Sequence, residues 1–302
     1  QIKNNKHLIK TINEVFHDHE SLEYEDSHPE IYSLEADAWR DIWEKYVNSK
    51  YKNLVVLDIG TGNGFVPSVI EKSLSIQDEI IFSDISKNML NVVQKKFSNK
   101  PFKTRFLLCD ATNTKLSAAS VDVATVNSVL HHLPDHEMFL REIDRILRPG
   151  GILIIKHEPN KLFATSLIPG NIYRTLRKIQ NLRYASVKNT QPEADPFLGK
   201  ILEALKLKGI EFSEIVSSQD IQELVDIESP TSGGGLDSSK GFNPFEMKNI
   251  FFPSYKKIQI TTYGYLGKID ERKSLFRKTI SKILSFFFPG RGYFFDFIVE
   301  KT

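Results

Sequence analysis

Between Leu54 and Glu158, short aliphatic and β-branched runs alternate with amphipathic stretches, and that rhythm is the signature of βαβ units on a parallel sheet. Strands are expected at Leu54–Ile59, Glu79–Ser83, Thr104–Leu108, Val121–Val126 and Ile152–Lys156. Between them, Phe65–Leu74, Lys87–Phe97 and His136–Leu147 have helical spacing. The last of these runs into Arg148-Pro149-Gly150-Gly151, a sequence that stops a helix and turns the chain into the next strand. The rhythm then lapses. Asn160–Val187 reads as one or two basic amphipathic helices, Phe197–Lys208 and Ser217–Val225 as further helices, and Ser229–Asn243, with three consecutive glycines, as a loop. It resumes with a strand at Lys256–Thr262, a helix at Asp270–Phe287 and a strand at Tyr293–Val299.

A chain of 302 residues, 40% of them hydrophobic, buries a sizeable core, which excludes disorder, collagen and a stapled mini-protein. The single cysteine, Cys109, excludes an intrachain disulfide and a cysteine-rich zinc framework. A reducing cytoplasm is therefore the expected compartment; the polar stretch Gln1–Glu14 lacks the apolar core of a signal peptide, and no run reaches the ~18 apolar residues of a membrane span. The net charge of +2 conceals a lopsided distribution. Glu14–Glu44 carries eleven acidic residues against Arg40 alone, whereas two stretches, Glu158 to Glu193 and Glu271 to Asp296, each enclose six basic residues and no acid.

The segment Val55-Val56-Leu57-Asp58-Ile59-Gly60-Thr61-Gly62-Asn63-Gly64 takes a buried strand into a glycine turn at a helix start, where missing Cβ atoms and unpaired N–H groups receive a ligand. A dinucleotide site spaces its glycines G-x-G-x-x-G for a pyrophosphate. Here they fall at Gly60, Gly62 and Gly64 behind Asp58, a carboxylate better suited to a cationic ligand, which disfavours nicotinamide chemistry. The second strand ends at Asp84, 24 residues past Gly60, where an acid accepts the hydroxyls of a ribose; the third ends at Asp110, placed for an adenine amine. Together these tips describe an adenosine carrying a positive group. Taken singly, Asp84 and Asp110 are equally explained as caps of helices starting near Ser86 and Asn113.

With these residues in view, Leu54–Glu158 resembles the small-molecule branch of the class I S-adenosylmethionine-dependent methyltransferases. Asp58-x-Gly60-x-Gly62-x-Gly64 is similar to the first motif of that family, Asp84-Ile85 to its ribose site, and Asp110-Ala111 to its adenine-contacting pair. Asn127-Ser128-Val129-Leu130-His131-His132-Leu133-Pro134-Asp135 resembles its fourth-strand motif, and Leu147-Arg148-Pro149-Gly150-Gly151 its turn into strand five. The resemblance implies a Rossmann-like, seven-stranded, mostly parallel α/β sheet in the order 3-2-1-4-5-7-6 with strand 7 antiparallel, helices on both faces and a helical cap after strand 5. It implies S-adenosylmethionine as cofactor, held by Asp58, Gly60, Thr61, Gly62, Gly64, Asp84, Ile85, Asp110, Ala111 and Asn127. Residues 1–50 are then a helical segment over the cofactor, 51–160 and 253–302 the core, and 161–252 the cap that recognises the acceptor.

Methyl transfer from a sulfonium releases a neutral leaving group and needs no acid, so the enzyme contributes mainly alignment, with a base useful if the acceptor is a hydroxyl or an acidic carbon. His131, His132 and Glu158, on the carboxyl ends of strands four and five, are the candidates; the competing reading is that one histidine packs under the helix and the other is a satisfied surface group. The fourth-strand tip lacks the Asn-Pro-Pro-Tyr of relatives that modify DNA bases. Basic stretches beside Phe286-Phe287-Phe288 and Phe294-Phe295 point to a small or lipid-like, anionic acceptor, met at an anionic membrane surface if the basic faces are not simply solvated. An RNA substrate fits less well, and a protein that only binds the nucleoside is the alternative to an enzyme. His17-Asp18-His19-Glu20, with Glu23, Glu25, Asp26 and His28, reads as a solvated acidic face and not a metal cluster, and Tyr24 or Tyr32 is expected near the methionine end of the cofactor.

Overall fold

A computed structural model describes residues 5–21, 35–48, 50–185, 196–210, 217–232, 236–251, 254–266 and 275–302. Seven strands form one sheet in the order β3-β2-β1-β4-β5-β7-β6. They are β1 (Val55–Ile59), β2 (Glu79–Asp84), β3 (Lys103–Leu108), β4 (Val121–Asn127), β5 (Leu147–Pro159), β6 (Tyr255–Tyr263) and β7 (Phe294–Lys301). The first five run parallel, and β7 lies antiparallel to both β5 and β6. This is the order and direction that the family resemblance implies.

Alternation along the strands builds a core on each face, because successive side chains point to opposite sides. Leu57, Ile59, Ala124, Val126, Leu153 and Ile155 face one way and bury Phe139, Leu140, Ile143 and Ile146 of α5 (His136–Ile146). Val56, Ile80, Phe82, Val123 and Ile154 face the other, against α2 (Ala36–Tyr46), α3 (Phe65–Ile70) and α4 (Lys87–Phe97). Full burial of each such side chain stabilises the fold by about 1.5–3 kcal/mol. A third core lies off the sheet. Ile12, Val15 and Phe16 of α1 (Lys6–Glu20) pack on Ile201 and Leu205 of α8 (Pro196–Leu207) and on Ile221, Leu224 and Val225 of α9 (Ser218–Val225). The amino-terminal helix and the insertion therefore share one interior.

Two expectations change and a third, that Asn160–Val187 forms one or two helices, resolves into two. Arg148-Pro149-Gly150-Gly151 is not a turn before the fifth strand but lies within it: Val121 pairs with Leu147 and Val123 with Ile152, so the segment bulges out, with Gly150 at φ +77°. Asn160–Val187 breaks into α6 (Lys161–Ala164) and α7 (Ile168–Ala185). A helix not expected from the sequence, α10 (Pro244–Phe251), precedes β6 and sends Met247 into the core. The last helix, α11, spans Leu275–Phe287; the residues expected to begin it lie outside the described ones.

Under the carboxyl end of β5 and the amino end of the antiparallel β7, Lys156 is fully buried, its Nζ 2.6 Å from Asp296 Oδ2 and 3.3 Å from Glu35 Oε2 and held over the rings of Trp39 and Tyr263. This one cation ties the start of α2 to the sheet. Lys156→Met leaves two carboxylates buried without it, and a loss of about 3–5 kcal/mol is expected in urea unfolding. Burial by itself raises the Glu35 carboxyl, but the hydrogen bond from His157 and the charge of Lys156 outweigh it and hold the group at about 2, against an ordinary 4.5. The resulting stabilisation, about 3 kcal/mol, is complete above 4.5 and is lost as pH falls towards 2. Urea midpoints taken from pH 6 down to pH 3 should therefore fall more steeply in the unaltered chain than in Glu35→Gln.

Candidate functional site

A cleft of about 790 Å³ opens at the carboxyl edge of the sheet, between β1 and β4 where the strand order reverses, the place where open α/β sheets receive ligands. Gly60, Gly62, Asp84, Ile85, Asp110, Ala111, Asn127 and His132, all expected from the sequence to serve a site, line it. Lys10, Asn13 and His17 of α1 line it too, and these the sequence reading did not assign.

The loop after β1 holds its shape through two buried acids. Asp58 accepts hydrogen bonds from Thr61 Oγ1 and Thr125 Oγ1, both at 2.6 Å, which fasten the loop to β4. Burial outweighs those two bonds and pushes its carboxyl up to about 6. Asp84 accepts from the N–H groups of Gly62 and Ser86, both at 2.9 Å, and burial raises it as well. Gly60 and Gly64 have φ of +59° and +79°, and added Cβ atoms would fall 2.5 Å from Val129 and 2.7 Å from Phe97. Asp58 thus braces the loop, and neither it nor Thr61 nor Gly64 is among the residues that line the cleft.

Asp110 accepts from the N–H and hydroxyl of Thr112 and pairs with Lys10 Nζ at 2.5 Å. The Lys10 and Thr112 bonds overcome its partial burial and hold it below the usual carboxylate range. Lys10 is one of three points where α1 docks across the strand tips. Lys6 reaches Asp135, the cap of α5, and Asp18 accepts from Ser86 Oγ and Asn88 N at the start of α4, where a negative charge also suits the helix dipole. The run from His17 to Glu20 is therefore partly a docking surface, with His17 in the cleft and its Nδ1 3.3 Å from Glu20. Asn13 donates to Ile9 O, while its buried Oδ1 has no hydrogen-bond partner among the described residues, leaving an acceptor at the cleft wall. Asn127 Oδ1 accepts from Trp39 Nε1 at 3.0 Å, which sets its orientation. Cys109, pushed up to about 12 by burial and the nearby Asp110 and Asp84, is an inert thiol. Tyr24 and Tyr32 lie outside the described residues.

The three candidate bases separate. Glu158 is fully buried and accepts from the N–H groups of Val129 (2.7 Å), Leu130 (2.7 Å) and His131 (3.2 Å), with His131 Nδ1 at 2.8 Å. It shapes the turn after β4 and does not meet the cleft. Neither does His131, whose other ring nitrogen lies 3.7 Å from Asp226. His132 does: its Nδ1 sits 3.0 Å from Val225 O and 3.2 Å from Asp226, both at the end of α9. Burial and the neighbouring His131 ring hold it well below the ordinary imidazole value, so it is neutral at pH 7. One donor atom each from His131, His132 and Asp226 lies within 4.8 Å of the others, a spacing a divalent ion can bridge. The hydrogen bonds above already account for this grouping.

The backbone around Glu158 is unusual. Ser128 and His157, on adjacent strand tips, both have left-handed φ, +57° and +60°, a conformation that costs non-glycine residues free energy and persists where its surroundings over-determine it. Ser128 N donates to Lys156 O, and Ser128 Oγ to His157 O. Glu158→Gln replaces a four-contact acceptor with a group offering one oxygen. Each unmet donor costs roughly 1–3 kcal/mol, so chemical denaturation should report a clear loss of stability together with weakened ligand binding. Loss of turnover at full stability would mark Glu158 as a catalytic group.

Residues 57–155 match the methyltransferase domain family. The ubiquinone/menaquinone biosynthesis C-methyltransferase UbiE of Burkholderia multivorans is 31% identical over 120 residues, 39% of this chain and 48% of that protein. A demethylmenaquinone methyltransferase of Lactococcus lactis is 28% identical over 155 residues, 50% of this chain and 61% of the relative. The chain thus spans about half the length of the curated relatives it matches. Among solved structures, an S-adenosylmethionine-dependent methyltransferase from Mesorhizobium loti aligns over 88% of this chain and 97% of that one, with 13% identity and a TM-score of 0.48. Residues 57–155 thus form a methyltransferase domain, and its strand-tip motifs and the sheet order 3-2-1-4-5-7-6 are those that the resemblance to the class I S-adenosylmethionine-dependent methyltransferases implies.

Proposed function

We propose that the chain transfers a methyl group from S-adenosylmethionine to a small, lipid-like acceptor, with His132 as the base. The observation that carries the reading is the convergence of Gly60, Gly62, Asp84, Ile85, Asp110, Ala111 and Asn127 on one cleft, beside the unpartnered Asn13 Oδ1. Asp84 would hold the ribose hydroxyls, Asp110 and Ala111 the adenine edge, and Asn127 the methionine end. The cofactor supplies an electrophilic methyl group on a sulfonium. Asp58 keeps the glycine loop in register, and α1 with the insertion of residues 161–252 covers the cleft and selects the acceptor, a division supported by their shared core.

His132 is suited to take a proton from an acceptor hydroxyl or an acidic carbon. With its Nδ1 hydrogen donated towards Val225 O and Asp226, Nε2 remains an acceptor, and its depressed pKa keeps it unprotonated. Asp226 is then a positioning residue for the ring. A lipid-like acceptor is supported by the quinone-pathway names of the relatives and by the apolar surface described below. We expect calorimetry to detect S-adenosylhomocysteine binding that weakens at least tenfold in Asp84→Ala. With labelled cofactor and a panel of demethylated quinols, phenols and lipids, His132→Ala should lower turnover roughly 10²–10⁴-fold at unchanged cofactor affinity. No heat with either nucleoside overturns the cofactor reading, and binding without turnover on any acceptor supports a binding protein instead.

A further inference from the structure

The helix α11 contributes only Ser281 and Leu284 to the buried interior. Leu275 (82% exposed), Phe276 (71%), Ile283 (50%), Phe286 (79%) and Phe287 (66%) face solvent. Phe276, Ile283 and Phe287, spaced seven and four residues apart, form one stripe on the helix, and Phe286 and Leu275 widen it. Exposed Lys278 and Lys282 flank that stripe, and no acid lies between Glu271 and Asp296. An amphipathic helix with an aromatic face and a basic flank is built to lie in the interfacial region of a bilayer.

The surroundings extend the patch. Leu284 and Ile280 of α11 pack beside Ile172 and Leu176 of α7, the other basic helix, whose start exposes Leu167 (81%) and Ile168 (48%). The chain leaving α11 returns to the sheet where Tyr293 N donates to Gly264 O, and Phe294 pairs there with Tyr263 and Pro159 at the carboxyl end of β5. The apolar face therefore stands on the edge of the sheet that carries the cleft. A second copy fits it poorly, because two such faces bring like lysines together with no acid in the run to pair with them.

We propose that the outer face of α11 docks on an anionic lipid bilayer, the phenylalanines entering the headgroup boundary and Lys278 and Lys282 meeting lipid phosphates. As a route to an apolar acceptor this rests on the reading given above; as a docking surface it stands on α11 alone. The test is co-sedimentation of the full chain with phosphatidylcholine vesicles, with and without phosphatidylglycerol, at low and high salt. The unaltered chain is expected to sediment with anionic vesicles and to be released by salt. Phe286→Ser with Phe287→Ser, and separately Lys278→Glu with Lys282→Glu, should each weaken binding at least tenfold, while Leu207→Ser, at an 85% exposed site on α8, leaves it unchanged. Three results overturn the proposal: a chain that ignores anionic vesicles, a Leu207→Ser chain as impaired as the paired variants, or a dimer in gel filtration that the phenylalanine changes dissolve without any vesicle binding. S-adenosylhomocysteine calorimetry on the same samples separates the readings. Nucleoside binding without vesicle binding removes the docking surface alone, and vesicle binding without nucleoside binding removes the cleft assignment alone.

Discussion

Loops that leave the carboxyl edge of a parallel sheet carry N–H groups with no strand to receive them, and in a buried setting each must find an acceptor. In this chain, acids in and beside the strands meet that demand. Asp84 takes the N–H groups of Gly62 and Ser86, Asp110 that of Thr112, and Glu158 those of Val129, Leu130 and His131. At the opposite edge, Asp78 and Asp122 accept from Leu54 and Val55 at the entrance to β1. The cleft keeps its shape because these carboxylates fix the loops around it. Those left with further lone pairs at the cleft surface, Asp84 and Asp110, are the ones able to serve a ligand as well.

The same economy explains how the cover is attached. Helix α1 buries Ile12, Val15 and Phe16 against the insertion, while its polar face sends Lys10 to Asp110, Lys6 to Asp135 and Asp18 to the start of α4. One face thus packs on helices of the insertion and the other on the strand tips, so α1 joins the two while lining the cleft. At the far side, Lys156 and its two carboxylates do the equivalent for α2, which in turn holds Trp39 against Asn127.

Charge asymmetry along the chain acquires a spatial meaning in this arrangement. Asp18 of α1 and Glu35, the residue before α2, are spent on contacts inside the molecule, while Asp37, Asp41 and Glu44 of α2 stay exposed. The basic helices α7 and α11 instead pack together on the carboxyl edge, with lysines and large apolar groups turned outward. Among the described residues, no helix is long and apolar enough to cross a membrane. An interfacial surface needs no such helix, since its apolar groups enter the bilayer only as far as the headgroup boundary.

The sequence by itself determined the sheet, the glycine loop and the acids at strand tips, because hydrophobic period, turn chemistry and motif spacing are local properties that neighbouring residues carry. It also marked Asp84, Asp110 and Asn127 for the cleft where the structure places them. Tertiary structure alone decided which acid faces outward and which is consumed within. Asp58 turns to Thr61 and Thr125, and Glu158 to a turn almost thirty residues earlier in the chain, partnerships that depend on strand register. It likewise decided that His132 and not His131 reaches the cleft, and that Lys10, Asn13 and His17 arrive there from a helix more than forty residues away from the nearest strand tip they meet. Contacts across such separations arise from packing, and no periodicity within one segment encodes them.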